Sequence, residues 1–304
     1  MTTTPILEAT QTLTQRLAHG VAPALATPMT ADGTQLNVAV VPDLVAFLLA
    51  RGVSGFFVGG TTGEGVLLSN KQRKSLHEAV VEAVDGRVPV LLHVGANTTA
   101  EALNLAQHGR DIGADALVAM TPYFITVDDD ALFDYFQTLA TVAPHRPFLV
   151  YDIPQLATNG ISPSLLQRLA ARVPNFAGIK CSRPDMQMIR QQLDVLPEGL
   201  LYLAGNERIA LGSLALGATG LISGLSTAVP EPLVNIVTAF AAGNLSEARL
   251  AQHRLNQMLD HIPAGARIGA IKLILQERGI AVGAAVPPRP MPTKPIWPTL
   301  QALL

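Results

Sequence analysis

Lysine is scarce in this chain, and only Lys180 closes an apolar run, Phe176-Ala177-Gly178-Ile179-Lys180. An ammonium carried into a protein interior is costly unless it is paired. Desolvation lowers its pKa toward the neutral amine that attacks carbonyl carbon, as in Schiff-base catalysis. Tyr151 lies near the end of a second apolar run, Phe148 to Asp152. Neighbouring strands lie about 4.8 Å apart, so phenol and amine converge if these runs are adjacent strands. A phenol in that position can move the protons that carbinolamine formation and dehydration require. A third run, Phe56-Phe57-Val58, leads into Gly59-Gly60-Thr61-Thr62-Gly63-Glu64-Gly65. Such small residues give up side-chain packing and gain backbone amides and hydroxyls that approach a small polar group closely. The turn lacks the lysine of a Walker loop and the spacing of a dinucleotide fingerprint. A carboxylate or phosphate is the anion it suits, with help from the helix that follows.

Each feature also has a plainer reading. Lys180 can be a core lysine paired with a carboxylate such as Glu64 or Asp152, and Tyr151 a packed ring with its hydroxyl on a backbone carbonyl. The glycine-rich stretch can be an ordinary tight turn.

The elements that must position these residues follow from hydrophobic periodicity. Strands are expected at Val21-Ala26, Gly55-Val58, Val88-Val94, Ala116-Met120, Phe148-Asp152, Phe176-Cys181, Leu200-Ala204 and Gly220-Ser223. Between them lie helical patterns at Val41-Ala50, Lys71-Val84, Ala100-Ile112, Asp129-Val142, Ser164-Val173, Met186-Val195, Glu207-Leu216 and Pro230-Ala242. Several start with capping residues (Ser69-Asn70, Thr98-Thr99 with Glu101, Ser162-Pro163) and several end in glycine (Gly52, Gly86, Gly113, Gly217). Eight evenly spaced βα units with no glycine fingerprint after the first strand predict a (β/α)8 TIM barrel rather than an open doubly wound sheet. The alternation stops after the eighth helix. Helical patterns at Leu245-Leu259 and Ala266-Glu277 and a proline-rich tail make a C-terminal helical extension, so the division is a barrel over 18–243 and an extension over 244–304.

In such a barrel, function collects where strands end and βα loops begin. The unusual strand ends are GGTTGEG, Thr121-Pro122-Tyr123-Phe124, Tyr151-Asp152-Ile153-Pro154 and Gly178-Ile179-Lys180-Cys181-Ser182, and they should share one rim. Composition narrows what they handle. A net charge of −2 over 304 residues carries no electrostatic footprint for nucleic acid. Hydrophobic content of 49% with 14% charged residues describes a compact chain with much buried surface, subunit contacts included. No apolar run approaches a membrane span, and the first residues read as a short helix rather than a signal, which points to the cytoplasm. Cys181 is the sole cysteine and the histidines show no paired metal-ligand spacing, so no metal site is indicated.

The set Gly60-Glu64 (GTTGE), Gly95-Ala102 (GANTTAEA), Thr121-Tyr123 (TPY), Tyr151-Pro154 (YDIP), Gly178-Lys180 (GIK), Ala204-Asn206 (AGN), Gly217-Ser223 (GATGLIS) and the tail Lys272-Gly279 with Pro287-Pro290 resembles the dihydrodipicolinate synthase / N-acetylneuraminate lyase superfamily, in order over nearly the whole chain. The resemblance implies a (β/α)8 barrel with a C-terminal helical extension, commonly a homotetramer. It also implies class I aldolase chemistry on pyruvate or another 2-oxo acid plus an aldehyde, without cofactor or metal. Lys180 matches the imine-forming lysine. Tyr151 matches the tyrosine that relays protons and takes the proton of the substrate hydroxyl in cleavage. Thr61 and Thr62 match the carboxylate-binding turn, with Thr61 also in the relay, and Gly60, Gly63 and Ile222 complete the substrate-binding set.

Departures from the family pattern narrow the activity. Dihydrodipicolinate synthases carry an arginine two residues after the Tyr-x-x-Pro proline, which grips the carboxylate of aspartate semialdehyde; here Leu156 stands there. Their second tyrosine after TPY, contributed across the subunit interface, is Phe124 here. Asp152 stands where the family often has asparagine, and Arg183 reads as a surface arginine opening the next loop. The expected activity is a Schiff-base lyase cleaving or forming a 2-oxo-3-deoxy sugar acid or related hydroxy-oxo acid. A dehydratase working through the same imine and a 4-hydroxy-tetrahydrodipicolinate synthase are the enzymatic alternatives, and a non-catalytic 2-oxo-acid-binding barrel is the alternative of a different class.

Overall fold

The computed structural model describes residues 5–304. Helix α1 (Pro5–Leu17) precedes eight parallel strands: β1 (Val21–Pro23), β2 (Phe56–Val58), β3 (Val90–His93), β4 (Ala116–Met120), β5 (Phe148–Asp152), β6 (Phe176–Cys181), β7 (Leu201–Ala204) and β8 (Gly220–Ser223). Helices α2 (Val41–Leu49), α3 (Asn70–Val84), α4 (Thr99–Asp111), α5 (Asp129–Thr141), α6 (Pro154–Ala157), α7 (Pro163–Arg172), α8 (Met186–Val195), α9 (Ala210–Ala215) and α10 (Glu231–Ala241) alternate with them. Each strand from β2 to β8 pairs with its sequence neighbour, β1 pairs with β8, and an Ala24–Phe57 bridge joins β1 to β2. Across that last seam Ser54 N donates to Val21 O and Leu25 N to Phe57 O, each at 2.9 Å, so the sheet closes into the expected (β/α)8 TIM barrel.

Period-two alternation splits the core into two layers. Phe57, Leu91, Val118, Met120, Leu149, Tyr151, Leu201, Leu203 and Ile222 fill the barrel, and Leu13 and Leu17 of α1 pack into the same cluster. Their outward neighbours, among them Phe56, Val58, Leu117, Val150, Ile179 and Tyr202, pack under the helices. The capping residues behave as their types dictate: Ser69, Thr98 and Ser162 accept from Gln72 N, Glu101 N and Leu165 N, closing the first turns of α3, α4 and α7.

Sequence and structure differ in four places. The first strand ends at Pro23, where the chain turns from β8 toward β2. The pattern over Glu207-Leu216 is a 3-10 turn (Glu207–Ile209) followed by the short α9. Periodicity missed α6, a single turn after β5, and α13 (Trp297–Gln301) in the proline-rich tail. After the barrel come α11 (Leu245–Asp260), a 3-10 turn at Ala264–Ala266 and α12 (Arg267–Glu277), whose first residues return to the mouth of the barrel.

Candidate active site

A β-bulge decides where Lys180 points. On β6, Phe176 packs outward and Ala177 inward, and strict alternation from there would send residue 180 outward with Phe176. The pairing with β5 instead runs Phe148↔Phe176 and then Leu149↔Gly178, leaving Ala177 as the extra residue. Gly178 carries the break with φ +136°, and a Cβ there would fall 2.0 Å from Leu201 O. Beyond the bulge Ile179 and Cys181 face the helices, and Lys180 turns into the barrel directly opposite Tyr151. The glycine of the GIK motif is therefore a condition for the inward lysine.

Once inside, Lys180 is 3% exposed. Its Nζ lies 3.9 Å from the centroid of the Phe57 ring and 3.9 Å from that of Tyr151. Neither expected carboxylate pairs with it. Glu64 is bound at 2.6 Å to Lys272, and Asp152 at 2.5 Å to Arg183. Burial pushes the amine pKa well below the ordinary lysine value, and only the charge of Glu207 pulls it back upward. The structural reading of Lys180 as an ion-paired core residue is thereby removed.

Tyr151 Oη lies 3.3 Å from Thr61 Oγ1 and receives a 3.4 Å hydrogen bond from Ser182 Oγ. Burial raises the phenol pKa, with the Ser182 and Thr61 contacts acting in the opposite direction, so the phenol keeps its proton near neutrality. It can lend that proton and take it back. Behind the tyrosine, Asp152 accepts from Arg183 and Gln192 and from the backbone N–H of Ile161, which fixes the β5 loop. Arg183 was expected at the surface. Its side chain is only 18% exposed, because the fully buried Asp152 carboxylate draws it in.

Thr61, Thr62, Tyr151, Lys180 and Ile222 line one cavity of about 320 Å³. Gly60 and Gly63 do not line it: a Cβ on Gly60 would sit 2.2 Å from the Phe57 ring and one on Gly63 2.9 Å from Leu25 O, so both let the turn fold tightly. The expected contribution of a following helix is also absent at this point. A 3-10 turn, Gly65–Leu67, intervenes, and α3 begins only at Asn70 with its first amides capped by Ser69. Glu64, the last residue of GTTGE, faces away from the cavity chemistry. It pairs with Lys272 of α12 and accepts from Val286 N at 2.8 Å.

The cavity also holds Ser182 and Asn206, which the motifs included without a role, and Gln155, Glu207, Arg208 and Arg267, which sequence reasoning did not single out. The AGN motif pointed to the loop that carries Asn206 and Glu207. Nothing local marked Arg267, whose place depends on the return of the extension.

With this geometry in view, comparison with known proteins is decisive for the family. The family model described as the dihydrodipicolinate synthetase family matches residues 17–302. The chain belongs to that family. A 4-hydroxy-tetrahydrodipicolinate synthase of Methanopyrus kandleri is 31% identical over 272 residues, covering 90% of this chain and 89% of the relative. A DapA-like lyase of Halobacterium salinarum, itself uncharacterised, is 32% identical over 265 residues, covering 87% of this chain and 86% of that one. Among solved structures, the wild-type sialic acid aldolase of Ruminococcus gnavus superposes with a TM-score of 0.88 at 27% identity, covering 95% of this chain and 96% of that one. A prophage protein of E. coli K12 in the dihydrodipicolinic acid synthase family, solved with pyruvate, gives 0.86 at 28% identity, covering 94% and 97%. The dihydrodipicolinate synthetase family is one of lyases that act through a lysine Schiff base. Among the described residues, no helix is long and apolar enough to cross a membrane.

Proposed function

We propose that this family member cleaves or forms a 2-oxo-3-deoxy sugar acid or related hydroxy-oxo acid, with pyruvate as the imine partner and an aldehyde as the other product. The observation that carries the reading is a buried amine, without a carboxylate partner, facing an open cavity beside a protonated phenol. In the cleavage direction the neutral Lys180 amine attacks C2 of the 2-oxo acid, and the carbinolamine hydroxyl leaves as water with the Tyr151 proton, giving a protonated imine and a Tyr151 phenolate. Tyr151 takes the proton of the C4 hydroxyl as the C3–C4 bond breaks, and the bond electrons move into the imine to give an enamine. Protonation at C3 and hydrolysis release pyruvate and restore the amine. The Thr61-Thr62 turn anchors the acid group and so orients the carbonyl carbon toward Lys180.

A homo-oligomer, tetrameric by resemblance, belongs to the same reading. Phe124 is 90% exposed and Ile125 50% exposed in the loop between β4 and α5, an apolar rim that a second copy would cover. Light scattering on the purified protein tests that assembly.

The names of the relatives favour a second reading, 4-hydroxy-tetrahydrodipicolinate synthase. Leu156 argues against it, being 61% exposed at the mouth where the arginine of such enzymes would stand. A panel of aldehydes offered with pyruvate separates the two. Aldol product from hydroxyaldehydes, with poor turnover of aspartate semialdehyde, supports the lyase, and strong turnover of aspartate semialdehyde selects the synthase.

A further inference from the structure

The wall of the cavity formed by the loop after β7 and the C-terminal extension carries a charge arrangement that the imine chemistry does not use. Glu207 is nearly buried and its oxygens are occupied: Oε1 accepts from Ser223 Oγ at 2.8 Å and Leu225 N at 2.7 Å, and Oε2 from Arg267 Nη2 at 2.5 Å. It is a filled acceptor, poorly placed to hold a substrate hydroxyl as well. Arg267 is the reverse case. A guanidinium has five N–H donors, and among the described residues the Arg267 side chain makes this one hydrogen bond while lining the cavity.

The glycine at 224 keeps the space between them open. A Cβ at that position would lie 2.7 Å from Thr62 Oγ1, 3.7 Å from Glu207 Oε1 and 3.8 Å from Arg267 Nη2. By those two distances, 2.7 and 3.8 Å, Arg267 Nη2 lies at most about 6.5 Å from Thr62 Oγ1, on the side formed by β8 and the extension, a gap that one short diacid can span. Two further arginines flank it. Arg208 lines the same cavity, and its one ion pair among the described residues, with Asp260 at 2.8 Å, is between exposed side chains and easily exchanged for another anion. Arg289 lines an adjoining hollow of about 240 Å³ that shares Thr61, Leu156, Arg267 and Ile268 with the main cavity, and it has no ion-pair partner among the described residues. The acids within this group, Glu207 and Asp260, are already paired, so the mouth is left with a surplus of positive charge.

We propose that Arg267, held in place by Glu207, recognises the second carboxylate of a short 2-oxo diacid, so that among the hydroxy-oxo acids of the reading above those with two carboxylates are preferred. A planar guanidinium anchored through one nitrogen still offers a carboxylate two parallel donors. Its donors approach from the extension, not from the β5 loop where Leu156 stands. The inference rests on the Schiff-base reading above.

Borohydride trapping of the imine tests it whether the later chemistry is lyase or dehydratase. The protein is titrated with 2-oxoglutarate and 2-oxoadipate, and in parallel with 2-oxopentanoate and 2-oxohexanoate, the acids of equal length without the second carboxylate. Labelling is read by intact mass. The diacids should reach half-labelling at concentrations at least about tenfold lower than their partners, the effect of one charge-assisted carboxylate–guanidinium contact. Arg267→Gln, which can still bond Glu207, should bring that ratio close to one, and Arg267→Lys should keep part of it. Equal labelling by diacids and monoacids in the wild type, or an unchanged ratio in Arg267→Gln, overturns the role of Arg267 and leaves the imine reading standing. Absence of label with every acid, pyruvate included, overturns both.

Discussion

Two lysines of this chain are buried almost equally, Lys180 at the barrel mouth with 3% exposure and Lys272 at the seam with the extension with none. Their surroundings solve the cost of burial in opposite ways. Lys272 has Glu64 at 2.6 Å and the carbonyl of Ala284 at 2.8 Å, so its charge is matched and the pair ties α12 to the GTTGE turn. Lys180 has two aromatic faces and no acid in contact, so burial pushes its pKa down and favours the neutral amine. Burial lowers the pKa of both amines, but at Lys272 the carboxylate opposes the shift through charge and hydrogen bond, whereas at Lys180 only the more distant Glu207 does. The same side chain is a fastener in one place and a nucleophile in the other, and the difference lies in which acid each one meets.

That contrast can be broken deliberately. Lys180→Ala should remove turnover by about 10^4-fold or more, the scale of a lost nucleophile, with the fold retained by circular dichroism. Lys272→Met should leave catalytic chemistry in principle intact but strand the buried Glu64 carboxylate, costing about 3–5 kcal/mol in denaturant unfolding. Adding Glu64→Gln to Lys272→Met should recover much of that loss, because the stranded charge is gone. Tyr151→Phe should slow turnover by about 10^2-fold or more without unfolding, as removal of a proton carrier does; a collapse of stability instead would make the tyrosine a packing residue.

The smallest effect sharpens the comparison through pH. The folded pKa of Lys180 lies below its unfolded value of about 10.4. Between those two values the unfolded chain binds more protons, so wild-type stability rises with pH through that window. Lys180→Met has no proton to lose. Its thermal midpoint should exceed that of the wild type near neutrality, and the gap should narrow as pH climbs toward about 10. A constant gap in differential scanning fluorimetry would contradict the neutral-amine picture.

Much of this was legible in the sequence, and what was missed has identifiable causes. Strand positions came through because each is a short apolar run ended by glycine, proline or a cap, and the motifs at the strand ends then fell on one rim by the topology of the barrel. The inward direction of Lys180 was not readable. Period-two counting from Phe176 sends it outward, and only the bulge at Gly178 reverses it. Arg183 was misplaced because sequence does not reveal that Asp152 is fully buried and needs a cation. Glu207 and Arg267 are 60 residues apart and meet through a long-range fold-back with no local signature. Gly60 and Gly63 were read for what they might touch, when their absence of side chains serves the turn itself.

The most direct test of the central claim is to incubate the wild-type protein with pyruvate and borohydride, digest it and map the reduced adduct by mass spectrometry. A single adduct on Lys180, with Lys272 unmodified, is the expected result. No adduct, or labelling of Lys272 as readily as Lys180, would show that the amine at the barrel mouth is not the reactive one.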